Sequence, residues 1–251
     1  MVIETQLNEG IFRIIFNRPE KHNAFDAAMI SAISEAVHTI PAETRVVLFA
    51  GNGKSFCAGA DVGYMRKQAE SSEEENREDA RKLAHMFESI YLLPMPTIAS
   101  VHGNVFGGGL GIVAACDMAI ATDDARYCFS EVNLGIIPAV ISPYVLRKTG
   151  VSFAKRYFLS GEVFSSATAA AAGLISESVS SADQAAALEK LLKAVTSAGQ
   201  PAQKSAKRLL HAFENFEPFS RDQLIHELAK LRSSEDAQSR MKNFLEKSSR
   251  T

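Results

Sequence analysis

The stretch HGNVFGGGLGIVAACD, residues 102–117, joins a β-rich segment to an apolar helix through a run of glycines. Four of the five residues from 107 to 111 are glycine, although glycine loses more conformational freedom on folding than any other residue. Glycine is favoured where the backbone must approach another group closely, because no side chain covers its N–H. An N–H at a helix N-terminus also attracts negative charge. The stretch therefore predicts a strand–helix junction whose backbone contacts a ligand.

A second run of small residues, GKSFCAGAD at 53–61, follows the apolar segment VVLFAG. Ala58, Gly59 and Ala60 leave backbone N–H groups open where this predicted strand ends. If the two openings converge, they form a pair of donors that could hold one carbonyl oxygen as it gains negative charge.

A single carboxylate, Glu131, lies in the otherwise apolar segment FSEVNLGIIP at 129–138. Burial raises the pKa of a carboxyl group towards the range that is useful for proton transfer. Glu131 is therefore a candidate acid–base residue. The alternative is a structural glutamate whose carboxylate is satisfied by backbone N–H groups.

The composition is that of a globular chain of 251 residues, 46% hydrophobic and 22% charged. A formal net charge of −2 provides no bulk attraction to nucleic acid or to anionic membranes. The chain has three cysteines and no C-x-x-C motif, which argues against a disulfide framework or a zinc site and indicates a reducing, cytoplasmic compartment. We also expect no signal peptide and no membrane span, since no apolar run reaches about 18 residues.

Apolar periodicity predicts an α/β region followed by a helical one. The predicted strands are residues 2–7 and 11–17, which form a hairpin, and residues 44–51, 97–103 and 117–122. A helix is predicted over 26–40 with Asp26 as its N-cap, and helices alone are predicted from about Phe153 onward. The charged segment 66–82 is interpreted as a solvated helix start or a surface loop.

Three other patterns do not match the binding motifs that they partly resemble. GNGKS at 51–55 lacks the first glycine of a phosphate-binding loop, because residue 48 is leucine. GLGIVA at 109–114 fits a dinucleotide pattern only loosely, since five residues separate it from the preceding strand. The six histidines are scattered without metal-ligand spacing, so no metal site is predicted.

Five motifs in register extend over nearly the whole chain. They are NRPEKHNAFD (17–26), FCAGADV (56–62), GNVFGGGLG (103–111), SEVNLGIIPAVISPYVL (130–146) and FLEK (244–247). In order and spacing this set resembles the enoyl-CoA hydratase/isomerase, or crotonase, superfamily. The resemblance implies an α/β fold, a crotonase-like spiral of ββα units with a C-terminal helical region. It divides the chain into a spiral core at 1–195 and a C-terminal helical trimerisation region at 196–251.

The same resemblance implies a site for an acyl-CoA thioester in a homotrimer or a dimer of trimers. No separate cofactor is expected, because coenzyme A is part of the substrate. The backbone N–H groups of Ala58 and Gly108 match an oxyanion hole, and Glu131 matches a catalytic glutamate. The matching substrate-binding positions are Lys21, His22, Asn23, Ala60, Asp61, Val62, Gly107, Gly111, Phe244 and Lys247, of which Phe244 and Lys247 match residues that reach the coenzyme A of a neighbouring subunit.

The chain departs from the family at Gly111, where many hydratases carry a first catalytic glutamate. Asp117 cannot replace it, because it lies about 13 Å beyond Gly108 along a helix that rises 1.5 Å per residue. With one glutamate, Glu131 could add water to an enoyl-CoA or could shuttle a proton between C2 and C4 in a Δ3,Δ2-isomerase. A third alternative is a member that binds acyl-CoA or RNA without catalysis. The lysine-bearing segment AQKSAKRLLHAF is the candidate surface for RNA, although the net charge argues against nucleic acid.

We predict a hydratase, because the segment SEVNLGIIPAVISPYVLRKTG is most similar to bacterial methylglutaconyl-CoA hydratase-like members. A branched dicarboxylic acyl group of that type needs a cation for its distal carboxylate. Arg147, Lys148 and Arg66 are the candidates for this cation. Ile137, Val140 and Ile141 are expected either to shape the acyl pocket or to serve only in packing.

Overall fold

The computed structural model of the chain describes residues 1–214, 235–236 and 239. The strands are β1 (Ile3–Asn8), β2 (Ile11–Phe16), β3 (Val46–Gly51), β4 (Thr97–Val101), β5 (Asn104–Phe106), β6 (Met118–Thr122), β7 (Arg126–Cys128), β8 (Phe164–Ser165) and β9 (Glu177–Val179). The helices are α1 (Ala27–His38), α2 (Val62–Glu70), α3 (Glu73–Tyr91), α4 (Gly108–Ala115), α5 (Ser142–Ser160), α6 (Ser166–Ala171), α7 (Gln184–Ser197) and α8 (Gln200–Glu214). Short 3-10 turns lie at Pro19–Lys21 and Ser130–Leu134.

A six-stranded sheet in the order β1-β2-β3-β4-β6-β9 forms the centre of the molecule. The predicted hairpin is confirmed: β1 and β2 pair antiparallel, with Ile3 opposite Phe16 and Asn8 opposite Ile11. In β2 alternate side chains are buried, which is the period-two pattern of a strand with one face on the core. The remaining strands of this sheet pair in parallel.

A second, three-stranded sheet in the order β5-β7-β8 lies beside the first. The chain alternates between the two sheets: β4 joins the large sheet, β5 the small one, and α4 follows. It then repeats this path with β6, β7 and α5. This repetition confirms the predicted α/β spiral of ββα units.

The expectation of helices alone after Phe153 is wrong in two places. Phe164–Ser165 is β8, and Glu177–Val179 is β9, which pairs with β6 at the edge of the large sheet. Strands of two or three residues are too short to show an alternating pattern, so only the tertiary pairing reveals them. The helical region also starts earlier, because α5 begins at Ser142.

Helix α1 confirms the predicted cap, because the Asp26 carboxylate accepts a hydrogen bond from the N–H of Met29 at 2.9 Å. The charged segment 66–82 forms the end of α2 and the start of α3. Ser72 and Glu75 make a capping box at the N-terminus of α3, which explains why a helix starts inside so charged a stretch. The predicted helix start is therefore confirmed, although Gln68, Asn76 and Asp79 within this segment are only partly exposed.

The first helix of the predicted C-terminal region, α8, contacts the core through an ion pair of Lys207 among other interactions. Lys207 Nζ donates to Asp117 Oδ2 at 2.7 Å and to the carbonyl of Met95 at 3.2 Å. The boundary predicted after residue 195 falls inside α7, which continues to Ser197. Phe244 and Lys247 lie outside the described residues. No helix in the described part of the chain is long and apolar enough to cross a membrane.

Candidate active site

The two openings predicted from the glycines lie side by side. Cys57 forms a parallel bridge with Val105, and the N–H of Phe106 donates to the carbonyl of Cys57 at 2.9 Å. A Cβ atom placed on Gly59 would lie 3.6 Å from Cβ of Phe106. The end of the 53–61 segment therefore packs against the start of α4, as a shared donor site requires.

The turn into α4 depends on glycine at position 107. Gly107 adopts φ 45° and ψ −114°, a conformation that residues with side chains rarely adopt. Gly108 then begins α4, where the first N–H groups of a helix have no partner inside the helix. Among the described residues no backbone acceptor is found for the N–H of Gly108. This N–H is free to bind a ligand, and the helix dipole adds positive potential there.

The second donor is not the predicted one. The N–H of Ala58 donates to the carbonyl of His22 at 3.0 Å, so the prediction for Ala58 is wrong. Two hydrogen bonds to Phe25 flank Ala60, from Phe25 N–H to Gly59 O and from Asp61 N–H to Phe25 O. In a parallel pairing this pattern turns the N–H of the central residue away from the partner strand.

The N–H of Ala60 has no backbone acceptor in the described part of the chain. Ala60, which the sequence assigned only to a substrate-binding turn, is therefore the better partner for Gly108. Residue types could not separate Ala58 from Ala60, because both are small and both lie in the same loop.

Glu131 lies in the 3-10 turn Ser130–Leu134 and faces the turn at Gly107. A Cβ atom placed on Gly107 would lie 3.4 Å from Oε1 of Glu131. The other carboxylate oxygen, Oε2, is buried and has no hydrogen-bond partner among the described residues. Burial raises the pKa of Glu131, and a hydrogen bond from its own backbone N–H lowers it only in part. The backbone-satisfied alternative is thus excluded for Oε2, which is free to exchange a proton.

One cavity of about 330 Å³ brings these groups together, because Ala60, Gly107, Gly108 and Glu131 all line it. Much of its wall is apolar. The apolar residues include Phe25, Ile30, Leu83, Leu134, Ile136, Ile137, Val140 and Ile141. Ile137, Val140 and Ile141 therefore occupy the places expected of residues that shape an acyl pocket.

Gly111, in contrast, does not line this cavity. A Cβ atom placed on Gly111 would lie 2.5 Å from Cγ2 of Ile141 and 2.6 Å from Cε1 of Phe87. Both neighbours are fully or almost fully buried. The predicted substrate contact of Gly111 is therefore wrong: its position lacks a carboxylate, and neighbouring side chains fill the space that one would need.

The segment Lys21–Asn23 divides into exposed and buried residues. Lys21 and His22 are exposed, and Nδ1 of His22 lies 3.2 Å from Oγ of Ser55. Asn23 is fully buried. Its amide donates to the carbonyls of Asn52 and Ser55 at 2.8 Å each, and its oxygen accepts from the N–H of Arg18. The prediction that Asn23 contacts substrate is wrong, because its side chain is used in holding two loops together.

The turn Ala60–Val62 starts helix α2. The carboxylate of Asp61 caps the helix by accepting from the N–H groups of Gly63 and Tyr64. Although desolvation raises the pKa of Asp61, these hydrogen bonds and the charges of Lys21 and Arg18 lower it overall. Val62 is 67% exposed, so it is available for contact at the molecular surface.

Sequence reasoning missed the polar part of the cavity wall. Tyr64, Gln68 and Asn76 lie on α2 and at the start of α3, and with Asp79 they line the same cavity as Glu131. The hydroxyl of Tyr64 donates to Asp79 Oδ1 at 2.5 Å. No local pattern could reveal this pairing, because the two residues lie on different helices in a segment whose charges indicate only solvent exposure.

The described residues contain no group of three or more histidine, cysteine or acidic side chains that could hold a metal ion. All three cysteines are buried free thiols. The groups that line this cavity are two carboxylates, Glu131 and Asp79, the backbone N–H groups of Ala60 and Gly108, and neutral polar side chains.

A family model described as enoyl-CoA hydratase/isomerase matches residues 6–251 of the chain. Among solved structures, the chain is similar to an enoyl-CoA hydratase from Shewanella pealeana, with 37% identity and a TM-score of 0.92, covering 98% of this chain and 94% of the other. It is also similar to a Legionella pneumophila protein provisionally named as an enoyl-CoA hydratase/isomerase (crotonase), with 37% identity, a TM-score of 0.90 and coverage of 98% and 96%.

A curated relative from Thermus thermophilus, provisionally named as an enoyl-CoA hydratase, is 32% identical over 173 residues. That match covers 68% of each chain.

Proposed function

Because the chain belongs to the enoyl-CoA hydratase/isomerase family, we propose that it is an enoyl-CoA hydratase that adds water across the C2=C3 bond of an acyl-CoA thioester. The observation that carries this proposal is the cavity in which Glu131, with one buried and unpartnered carboxylate oxygen, lies near two unused backbone N–H groups. Coenzyme A enters as part of the substrate, and the chemistry requires no separate cofactor.

In this proposal the N–H groups of Ala60 and Gly108 donate to the thioester oxygen. Addition at C3 moves electron density onto that oxygen, so both hydrogen bonds strengthen as the enolate forms. Removing one comparable donor typically costs about 2.7–4 kcal/mol of transition-state stabilisation. The dipole of α4 adds to the effect, because Gly108 is its first residue.

Glu131 supplies both proton transfers. Its carboxylate takes a proton from water while the water oxygen bonds to C3, and the electron pair of the double bond moves into the thioester enolate. The protonated carboxyl group then returns the proton to C2 as the enolate collapses. The sum is addition of one water, and Glu131 ends in its starting state.

A second candidate function is a Δ3,Δ2-enoyl-CoA isomerase. The filled space at Gly111 favours it, since Phe87 and Ile141 occupy the space where the side chain of a second glutamate would begin. In this reaction Glu131 removes a proton from C2 and returns it to C4, and the double bond moves into conjugation. One carboxylate is sufficient for that shuttle.

The remaining parts of the proposal concern coenzyme A and assembly. The exposed side chains of Lys21, His22 and Val62 are proposed to lie along coenzyme A, with Phe244 and Lys247 reaching it from a neighbouring subunit. Assembly as a homotrimer or a dimer of trimers, a trimerisation role for residues 196–251 and a cytoplasmic location complete the proposal.

An RNA-binding role is weakly supported. Lys207, in the lysine-bearing helix that would form the surface, is 8% exposed and is paired with Asp117. An interior ion pair of this kind holds the helix on the core and leaves that cation unavailable to phosphate.

None of the cations named for a dicarboxylic substrate lines the cavity. Lys148 Nζ is buried and donates to the carbonyl of Val113 at 3.0 Å. The guanidinium of Arg147 lies 5.1 Å from the centre of the Tyr91 ring. Arg66 is absent from the cavity lining. The assignment of a methylglutaconyl-type acyl group is therefore supported by the sequence resemblance and not by a cation in the cavity.

The test is to follow the absorbance of the conjugated enoyl thioester with purified protein. Crotonyl-CoA, 3-methylglutaconyl-CoA and a 3-enoyl-CoA are supplied in parallel. Loss of absorbance with a conjugated substrate supports hydration, whereas a gain with the 3-enoyl substrate alone supports isomerisation. Binding of the thioesters without any change in absorbance would overturn both activities.

A further inference from the structure

The cavity has a polar wall that the proposed hydration does not use. Asp79 on α3 accepts hydrogen bonds on both carboxylate oxygens, from the hydroxyl of Tyr64 at 2.5 Å and from Nε2 of Gln68 at 2.7 Å. Both donors lie on α2, and all three residues line the same cavity as Glu131. Tyr64, Gln68 and Asp79 are called the polar wall below.

The carboxylate of Asp79 in the polar wall can accept further hydrogen bonds. An ionised carboxylate offers about four lone-pair sites, and the bonds from Tyr64 and Gln68 use one site on each oxygen of Asp79. The proton of the Tyr64 hydroxyl is already committed to Asp79. Burial, followed by the hydrogen bond to Asp79 and the charge of that residue, raises the pKa of Tyr64, so the phenol keeps this proton. The wall can therefore accept a hydrogen bond from a ligand.

The charge of the cavity is negative. Asp79 and Glu131 both line it, and its described lining residues include no lysine, arginine or histidine. Lys67 and Lys82 line only an adjoining cavity, on the other side of Tyr64, Gln68 and Asp79. Tyr64 and Gln68 are neutral donors, and Asp79 makes no ion pair with any residue that the structure describes. A further carboxylate brought into this space would lose its hydration without gaining a positive partner.

Resting on the proposed enoyl-CoA chemistry, we propose that the polar wall selects the distal end of the acyl group: the cavity takes an uncharged acyl chain, best one that ends in a hydroxyl, and rejects one that ends in a carboxylate. A hydroxyl donates its proton to the free lone pairs of Asp79. A carboxylate has no proton to donate and is repelled by Asp79 and Glu131. Selectivity thus comes from one attractive contact and one repulsive contact at the same residue.

The first experiment compares 2-enoyl-CoA thioesters of equal length, five and seven carbons, that end in a methyl, a hydroxyl or a carboxylate group. We expect kcat/KM for the carboxylate-ended members to be at least about tenfold below that of the methyl-ended ones. The hydroxyl-ended members should be turned over at least as well as the methyl-ended ones. A carboxylate-ended thioester that is used as well as its methyl-ended counterpart would overturn the inference.

A matched pair of variants localises the effect. Asp79→Asn and Glu78→Gln each remove one negative charge from adjacent positions of α3, but only Asp79 lines the cavity, while Glu78 pairs with Arg81 on the helix surface. Asp79→Asn should reduce the discrimination against the carboxylate group severalfold or more. Glu78→Gln should leave the discrimination unchanged, and an equal effect of both variants would refute a role for the polar wall.

Calorimetric binding of the corresponding saturated acyl-CoA thioesters separates this inference from the proposed function. If the protein turns over none of the enoyl thioesters but still binds heptanoyl-CoA at least about tenfold more tightly than its carboxylate-ended analogue, only the proposed activity fails. If it turns over crotonyl-CoA and yet binds both saturated thioesters equally, only the inference about the polar wall fails.

Discussion

The carboxylate of Glu131 faces the backbone of Gly107 so closely that a Cβ atom on Gly107 would lie 3.4 Å from Oε1. The proposed acid–base residue therefore lies against the turn that presents the Gly108 N–H. A side chain added at position 107 would therefore contact the Glu131 carboxylate.

Replacing Glu131 with glutamine should reduce turnover by about a hundredfold or more, because it removes the general base. The fold and coenzyme A binding should remain, since glutamine keeps the size of the side chain. The assay is steady-state kinetics alongside calorimetric binding. Near-normal turnover by the glutamine variant would remove Glu131 from the mechanism.

The same substitution should raise the melting temperature at neutral pH. Burial raises the pKa of Glu131 above 4.5, so the folded state binds its proton more tightly than the unfolded state does. Stability linked to this group is present at low pH and is lost as the pH rises through the raised pKa. Glutamine removes that loss. In thermal unfolding, the melting temperature of the variant should therefore exceed that of the original chain at pH 7, and the difference should be smaller at pH 4. A gain of equal size at both values would contradict the assignment.

The pH profile of kcat/KM should fall on the acid side with an apparent pKa above that of an ordinary glutamate. Glu131 must be ionised to accept a proton, and its pKa is raised because it is desolvated by burial. Initial rates between pH 4 and 9 test this expectation with one enoyl-CoA substrate. An acid limb at or below 4.5, the ordinary value, would show that Glu131 does not control it.

Gly107→Ala should impair catalysis more than a comparable change elsewhere. Alanine is strained at φ 45° and ψ −114°, so the turn that presents the Gly108 N–H would shift, and the new Cβ would contact the Glu131 carboxylate. Gly150→Ala is the matched control, because Gly150 has φ 72° and ψ 168° and a Cβ atom placed on it would have no atom within 4 Å.

Both alanine variants should lose stability, by roughly 1–3 kcal/mol each. Only Gly107→Ala should also lower kcat, and this difference is measured at a temperature where both variants remain folded. Equal kcat values for the two variants would mean that the Gly107–Glu131 contact has no part in turnover.

Gly108→Pro removes the proposed donor N–H at the first residue of α4, a position where proline is tolerated. Its ring also meets Phe25, because a Cβ at position 108 would lie 2.8 Å from Cδ2 of that residue. Gly108→Ala shares this steric conflict but keeps the N–H. The ratio of the two variants therefore reports what proline adds, which is loss of the hydrogen bond together with a ring carbon in the place of the N–H.

The proline variant should have a kcat about a hundredfold or more below that of the alanine variant. Circular dichroism and thermal unfolding establish that both are folded before the rates are compared. Equal rates for the two folded variants would discard Gly108 as an oxyanion donor.

Gly111→Ala should destabilise the protein, although the same change inside a helix usually stabilises it by about 1 kcal/mol. The sign reverses because the new methyl group would collide with Ile141 and Phe87. Chemical denaturation measures the free energy of unfolding of both proteins. A variant more stable than the original chain would show that Phe87 and Ile141 leave room for a methyl group at position 111.

The sequence by itself determined much of this protein. Its apolar periodicity located the hairpin, α1 and the buried parallel strands, because these segments bury one face or both faces and their pattern follows from that. Its glycine runs located both backbone openings, since few other residues permit so close an approach. The apolar surroundings of Glu131 indicated a perturbed carboxylate, and the motif spacing indicated the family.

Only the tertiary structure decided which of these groups are free to bind a ligand. Ala58 and Ala60 differ because a distant carbonyl, that of His22, accepts one N–H and leaves the other free. The space beside Gly111 is filled because Phe87 and Ile141, from other segments, pack against it. The side chain of Asn23 is not free for a ligand because it donates hydrogen bonds to a loop about 30 residues later in the chain. The polar wall likewise needs α2 and α3 to pack together. Local sequence sets what a segment can form, whereas hydrogen-bond partners and free volume depend on contacts between residues far apart in the chain, and these exist only once it is folded.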